Sequence, residues 1–205
     1  MCWRYANCVV KRFVPIIVLT ALCWLVFLVN NVILGGQWLQ YGIVPRHLSS
    51  LLGIVWAPFL HGSLAHITAN TVPLLVLGAV ICARGKPEFY LVTLFGIVIT
   101  GALTWVFARP AAHVGASGLI FCYFGYLASL AWFNRTFGTL LLSVACLVAY
   151  GGIIRGILPT NTEISWEGHF AGLVTGVLLA WFTAKLKKTP LDANVPISSN
   201  ITLPK

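Results

Sequence analysis

Long runs without a charged residue are the dominant pattern in the sequence. A transmembrane helix needs about 20 consecutive apolar residues to cross roughly 30 Å of hydrocarbon. The runs that contain no Asp, Glu, Lys or Arg are 13–45, 47–83, 89–108, 110–134, 136–154 and 168–184. The pattern predicts six membrane-spanning helices, at about 13–34, 63–83, 89–107, 117–133, 139–156 and 168–184.

The connection from Gly35 to Gly62 is long and has an unusual composition. It holds several Trp, Gly and Pro residues but a single charge, Arg46. Trp concentrates at membrane interfaces, so we predict an interfacial loop that lies partly in the membrane. The other connections are short, which predicts one domain over residues 1–188. The polar segment 189–205 is expected to be a disordered tail.

Composition points to the same class of protein. Apolar residues make up 59% of the chain and charged residues 8%, and the mean hydropathy is +0.92. Soluble domains carry about 25% charged residues, and disordered chains are polar, so both classes are excluded. The apolar run from Phe13 is too long for a signal peptide and lacks an A-x-A cleavage site. We therefore expect an all-α, polytopic, integral membrane protein embedded in a lipid bilayer.

The basic residues orient the predicted bundle. The net charge is +9, but the basic residues lie at the ends of spans and not in a patch suited to a nucleic-acid partner. One side carries Arg4, Lys11, Arg12, Arg84, Lys86, Arg135, Lys185, Lys187 and Lys188, and the other Arg46, Arg109 and Arg155. The positive-inside rule makes the first side cytoplasmic, with both termini inside, and in a bacterium the membrane is the cell membrane.

Polar residues in three predicted spans lie at one depth. His66 precedes Arg84 by 18 residues, Ser117 precedes Arg135 by 18, and His169 precedes Lys185 by 16. At about 1.5 Å per residue, all three lie roughly 24–27 Å from the cytoplasmic face, just below the outer surface. Asn70 lies one turn deeper than His66, on the same helix face.

Glycines favour a close approach between two of these spans. Gly115 and Gly118 flank Ala116-Ser117 and place the Ser at a junction between loop and helix. Gly168, Gly172 and Gly176 recur every four residues, a small-residue stripe that lets two membrane helices touch. A helix packed on this stripe would bring its Ser within hydrogen-bond reach of His169.

The inventory of ionisable groups limits the chemistry. The acids are Glu88, Glu163, Glu167 and Asp192, so a pair of buried carboxylates is missing. His61 and His66 are five residues apart, about 140° around a helix, which is poor geometry for a metal. We therefore predict no metal and no cofactor. A Ser117–His169 dyad fits the inventory, because a neutral His takes the Ser proton during attack and returns it to the leaving amine.

These residues resemble the rhomboid family of intramembrane serine proteases. The resemblance rests on three ordered motifs over residues 13–185: His61-Gly-Ser-Leu-Ala-His66-Ile-Thr-Ala-Asn70, Gly115-Ala116-Ser117-Gly118, and Gly168-His169-Phe-Ala-Gly172-Leu-Val-Thr-Gly176. The family implies a six-span bundle with a water-filled cavity open to the outer side. It also implies single-span membrane protein substrates, cut near the outer face at small residues.

The resemblance assigns a role to each motif residue. Ser117 is the expected nucleophile and His169 the base, while Asn70, His66 and the Ser117 backbone N–H would bind the oxyanion. Phe121 corresponds to an aromatic residue that packs on the catalytic His. Gly115, Gly118 and Gly172 would provide the close packing around the site. The fifth span and the segment 158–167 would gate substrate access.

Some features remain open at the level of sequence. Trp38 and Arg46 do not form the Trp-Arg pair common in the family's first loop, so that role is not transferred. We expect a structural role for His61 and a loop hydrogen bond for His113. The alternative function is a noncatalytic rhomboid-like protein that binds membrane clients. A small-solute transporter and a dedicated processing peptidase are the further alternatives.

Overall fold

The computed structural model describes residues 2–159 and 165–188. The predicted tail, 189–205, lies outside the described residues, as does half of the predicted gate segment 158–167, residues 160–164. The main helices, numbered in chain order, are α1 (Cys2–Leu28), α2 (Gly53–Trp56), α3 (Leu64–Arg84), α4 (Lys86–Phe107), α5 (Ser117–Asn134), α6 (Phe137–Tyr150) and α7 (Trp166–Lys188).

The predicted all-α polytopic class is confirmed. Among the described residues, five stretches of helix are long and apolar enough to cross a membrane: Val10–Ile33, Leu64–Arg84, Lys86–Phe107, Phe137–Ile157 and Trp166–Lys187. The remaining predicted span, 117–133, is α5, which has 18 residues, ten of them buried. It contains no Asp, Glu, Lys or Arg, and neighbouring helices cover much of its surface.

Two predicted spans end differently in the structure. The α-helix of the first span begins before residue 13, at Cys2, and turns into a π-helix over Val29–Ile33. The fifth predicted span, 139–156, is an α-helix only to Tyr150. It continues as a 3₁₀ segment over Gly151–Ile157, where glycines weaken the α-helical preference.

Helix α5 is the centre of the bundle. It packs against α3, α4, α6 and α7, and its Tyr123, Phe124 and Tyr126 are fully buried. Helix α6 is much less buried than α5, since only three of its 14 residues are buried. The site-bearing helix is therefore held on several sides, whereas α6 exposes most of its surface.

The connection between α1 and α3 is a series of short helical turns and not an open loop. These turns are Gln37–Tyr41, Leu48–Ser50, Gly53–Trp56 and Ala57–Phe59. Leu48, Leu52 and Trp56 project outward with more than half of their surface exposed, as an interfacial segment requires. Arg46 fixes the connection to α4, because its guanidinium donates to the carbonyls of Val106 and Ala108 at 3.0 and 2.9 Å.

Candidate active site

Helix α5 begins at Ser117, so the Ser lies at the junction that its glycines predicted. Gly115 has a φ of 111°, a backbone conformation that L side chains rarely adopt. Its N–H donates to the Ala57 carbonyl at 2.8 Å, which ties the Ser117 loop to the α1–α3 connection. The chain thereby turns sharply into the helix and presents Ser117 at its first position.

Small residues let α7 approach α5 at backbone distance. A Cβ on Gly172 would collide with the Gly118 carbonyl, and one on Gly176 with the Cys122 carbonyl. The glycine stripe of α7 therefore packs against α5, the helix that carries Ser117. This contact sets the separation of the two helices at the level of the site.

The two helices bring Ser117 and His169 into hydrogen-bond contact. Ser117 Oγ lies 2.8 Å from His169 Nε2, and His169 Nδ1 lies 2.9 Å from the Gly156 carbonyl. A carbonyl only accepts hydrogen bonds, so Nδ1 carries the proton of the neutral ring. Nε2 then keeps its lone pair for the Ser117 hydroxyl, as a general base requires.

The ring of His169 is fixed by an aromatic neighbour. Phe121, one turn after Ser117, stacks on it with a centroid distance of 4.3 Å and an interplanar angle of 9°. Phe121 is buried, and His169 exposes 8% of its surface. Stacking on one face leaves the imidazole little freedom to rotate away from Ser117.

His66 and Asn70 face the Ser117 loop from α3. A Cβ on Gly115 would lie 2.5 Å from His66 Nε2 and 3.5 Å from Asn70 Nδ2. Asn70 Nδ2 is buried and has no hydrogen-bond partner in the part of the chain that the structure describes. Buried donors are normally satisfied, so an amide left unpaired beside a candidate nucleophile is a donor available to a ligand.

His61 supports the same loop from behind. Its Nδ1 lies 3.3 Å from the Phe59 carbonyl, and its Nε2 accepts the N–H of Ala116 at 3.4 Å. The His61 and His66 rings meet edge to face at 5.0 Å. Burial lowers the pKa of His61 to about 4, so the ring is neutral near pH 7 and Nε2 remains an acceptor.

His113 links the Ser117 loop to the start of α7. Its Nε2 lies 3.1 Å from the Arg109 carbonyl and its Nδ1 lies 2.6 Å from Ser165 Oγ. Ser165 Oγ in turn accepts the Gly168 N–H at 3.3 Å. Burial lowers the pKa of His113, which favours the neutral ring that this pair of contacts needs. His113 thus connects two loops and does not touch Ser117.

Glu167 is turned away from the candidate base. Its Oε1 accepts the Arg109 N–H at 3.3 Å, and its Oε2 lies 3.4 Å from the Arg109 guanidinium. Among residues 2–159 and 165–188, His, Cys, Asp and Glu do not form any group of three that could hold a metal ion. Among the residues that the structure describes, the contacts of His169 are therefore those of a Ser–His pair without a carboxylate.

A small cavity adjoins Ser117. Its volume is about 50 Å³, and Thr100, Thr104, Ser117, Gly118 and Gly168 line it. The hydroxyl of Thr100 is buried and lacks a hydrogen-bond partner among the described residues. A space of this size holds a few water molecules or a small side chain.

Sequence reasoning missed Gly156. Its contribution is a backbone carbonyl, which every residue carries, and it comes from a segment predicted to be ordinary helix. The cluster of Gly151, Gly152 and Gly156 was a signal of irregular backbone at this end of the span. It did not indicate which carbonyl would meet His169, because that depends on how the segment packs on α7.

Comparisons with known proteins agree with the fold. The family profile described as Rhomboid domain matches residues 48–186. An uncharacterized protein of Mycobacterium tuberculosis is 35% identical over 176 residues, 81% of this chain and 72% of that protein. An uncharacterized protein of Mycobacterium leprae is 37% identical over 149 residues, 68% and 59% of the two chains. RHOMBOID-like protein 4 of Arabidopsis thaliana is 31% identical over 142 residues, 64% and 33%.

Proposed function

Since the chain belongs to the rhomboid family, we propose that it is an intramembrane serine endopeptidase that cleaves single-span membrane proteins. The observation that carries the proposal is the 2.8 Å contact between Ser117 Oγ and His169 Nε2. A Ser hydroxyl is a weak nucleophile unless an adjacent base removes its proton. Here the candidate base His169, on α7, presents Nε2 to Ser117 on α5.

The reaction proceeds through an acyl-enzyme. Ser117 Oγ attacks the scissile carbonyl while its proton passes to His169 Nε2. The tetrahedral intermediate collapses, the peptide C–N bond breaks, and His169 returns the proton to the leaving amine. Water then attacks the ester while His169 accepts its proton. The ester C–O bond breaks, His169 returns the proton to Ser117 Oγ, and the product leaves with a new carboxyl terminus.

Donors for the oxyanion lie on α3 and at the start of α5. Asn70 Nδ2 is buried and has no hydrogen-bond partner in residues 2–159 and 165–188, and His66 Nε2 faces the same loop. The backbone N–H of Ser117, at the first position of its helix, is the third donor. Each well-placed donor typically contributes about 3 kcal/mol of transition-state stabilisation.

The position of the site supports a membrane-embedded substrate. The pair lies at the end of the bundle opposite Arg84 and Lys187, the end that the positive-inside rule assigns to the outer face. A substrate helix that reaches this level must unwind locally to expose a peptide bond. The cavity of about 50 Å³ beside Ser117 fits a small side chain next to that bond.

An activity-based probe tests the proposal without knowledge of the substrate. The purified protein in detergent is treated with a fluorophosphonate, beside Ser117→Ala, His169→Ala and an active rhomboid protease as positive control. We expect labelling of the wild type, none of Ser117→Ala, and a loss of about 10²–10⁴-fold in rate for His169→Ala.

Two labelling results would contradict the proposal. A folded wild type that stays unlabelled while the control protease reacts would overturn the proposal and favour a noncatalytic client-binding protein. Labelling of Ser117→Ala at the wild-type rate would place the reactive serine elsewhere.

A further inference from the structure

The carbonyl of Gly156 occupies the place that a carboxylate takes in a catalytic triad. It lies 2.9 Å from His169 Nδ1, on the ring nitrogen opposite the one that faces Ser117. It comes from the 3₁₀ segment Gly151–Ile157, which follows α6 and packs against α7. The acceptor is therefore on a different element from both members of the Ser117–His169 pair.

A triad carboxylate orients the His ring and stabilises the imidazolium that forms during attack. Glu167, the acid nearest to His169 in sequence, is bound to Arg109 and does not reach the ring. A neutral carbonyl performs the same two tasks more weakly, since its oxygen carries only a partial negative charge. It does so without burying an ion, which is costly within a membrane.

From this geometry we infer that Gly156 is a positioning residue, whose carbonyl fixes the tautomer and plane of His169 and stabilises the imidazolium in the transition state. The inference rests on the proposed protease function. It adds a third element to the site, because the reactive geometry then depends on the 151–157 segment as well as on α5 and α7.

The position also leaves little room for a side chain. A Cβ on Gly156 would lie 3.0 Å from His169 Nδ1 and 3.0 Å from Phe121 Cζ. Both atoms belong to rings that stack on each other, so neither ring yields without moving the other. A side chain here would push the base or lift the carbonyl from Nδ1.

The chain supplies a matched control for this idea. Gly151 and Gly152 lie on the same 3₁₀ segment, and a Cβ on either meets no atom within 4 Å. Gly156→Ala and Gly152→Ala therefore make the same chemical change and have the same effect on backbone entropy. They differ only in what the added methyl group meets.

The experiment measures fluorophosphonate labelling at several probe concentrations for the wild type, Gly156→Ala, Gly152→Ala and Gly151→Ala. We expect Gly156→Ala to lower the maximal labelling rate at least tenfold, with the half-saturating probe concentration and the melting temperature within the range of the two controls. A maximal rate equal to that of Gly152→Ala would overturn the inference.

A backbone ester separates the carbonyl from the steric effect. Replacing Ile157 by its α-hydroxy acid weakens the Gly156 carbonyl as an acceptor and adds nothing near His169. The matched ester at Ile153 weakens the Gly152 carbonyl instead. We expect the ester at 157 to slow labelling several-fold relative to the ester at 153, and equal rates would overturn the role of the carbonyl.

Failure of this inference is distinguishable from failure of the proposed function. An unlabelled wild type would overturn the protease proposal itself. A labelled wild type, with Gly156→Ala and the ester at 157 at the rates of their controls, would leave the Ser117–His169 pair standing and remove only Gly156 from the site.

Discussion

At the scale of single residues, two asparagines show how hydrogen-bond partners separate structural from functional roles. Asn31 Nδ2 donates to the carbonyls of Phe27 and His61, both at 3.1 Å. Asn70 Nδ2 is buried and has no partner among the described residues. A buried polar group without a partner lowers stability, and the oxyanion contact proposed above would satisfy this amide.

We predict that Asn70→Ala lowers the fluorophosphonate labelling rate about 100-fold, in line with loss of one oxyanion donor worth about 3 kcal/mol. Its free energy of unfolding should not fall, because no protein hydrogen bond of Nδ2 is lost. Asn31→Ala is the comparison variant. It should unfold at a lower denaturant concentration than the wild type, because it loses two hydrogen bonds. The two rates and two SDS-unfolding midpoints check this, and an Asn70→Ala variant destabilised like Asn31→Ala would contradict it.

At the scale of elements, the contact between α5 and α7 sets the distance between Ser117 and His169. Gly172 is the critical position, since its Cα faces the Gly118 carbonyl and a Cβ would also lie 3.1 Å from Phe121 Cβ. A side chain there must move α7 away from the start of α5. Ser117 and His169 would then separate together with their helices.

We predict that Gly172→Ala reduces labelling at least tenfold and destabilises the protein by about 1–3 kcal/mol, the usual range for overpacking. Gly138→Ala is the control, because a Cβ at Gly138 meets no atom within 4 Å. Labelling rates and SDS-unfolding curves of both variants test this. Wild-type labelling in Gly172→Ala would show that the two helices tolerate a wider separation than the hydrogen bond suggests.

At the scale of the whole molecule, a partly buried carboxylate joins the helices at the end opposite the site. Glu88, at the start of α4, forms an ion pair with Arg84 and accepts from Lys187 Nζ at 2.9 Å. It also accepts the Tyr126 hydroxyl at 2.6 Å. Four helices, α3, α4, α5 and α7, thus meet at one side chain.

We predict that Glu88→Gln destabilises the protein by about 1–3 kcal/mol, a moderate loss because Lys187 is exposed and screened by solvent. Labelling should stay within twofold of the wild type, since the 18 residues from His66 to Arg84 separate the two ends by about 27 Å. Tyr126→Phe removes one of the contacts and should cost less. A tenfold loss of labelling in folded Glu88→Gln would contradict the separation of stability from activity.

The class of the protein is predictable from its sequence alone, and so is the choice of most candidate site residues. Charge-free runs predict spans because lipid accepts few charges, whatever the helices pack against. The common depth of His66, Ser117 and His169 follows from the constant rise of a helix. Gly172 and Gly176 are four residues apart and therefore lie on the same face of their helix. This spacing predicts a close contact with a neighbouring helix.

The partners that orient the residues of the candidate site depend on tertiary packing. The Gly156 carbonyl on His169, the His61 ring on the Ala116 N–H and the His113–Ser165 contact each join segments at least 13 residues apart. Each contact depends on where a helix ends or how a loop folds back. Because every residue carries a backbone carbonyl, the sequence does not indicate which one is used. The sequence gives the types of the candidate reactive side chains, but the acceptors that orient them depend on packing between segments.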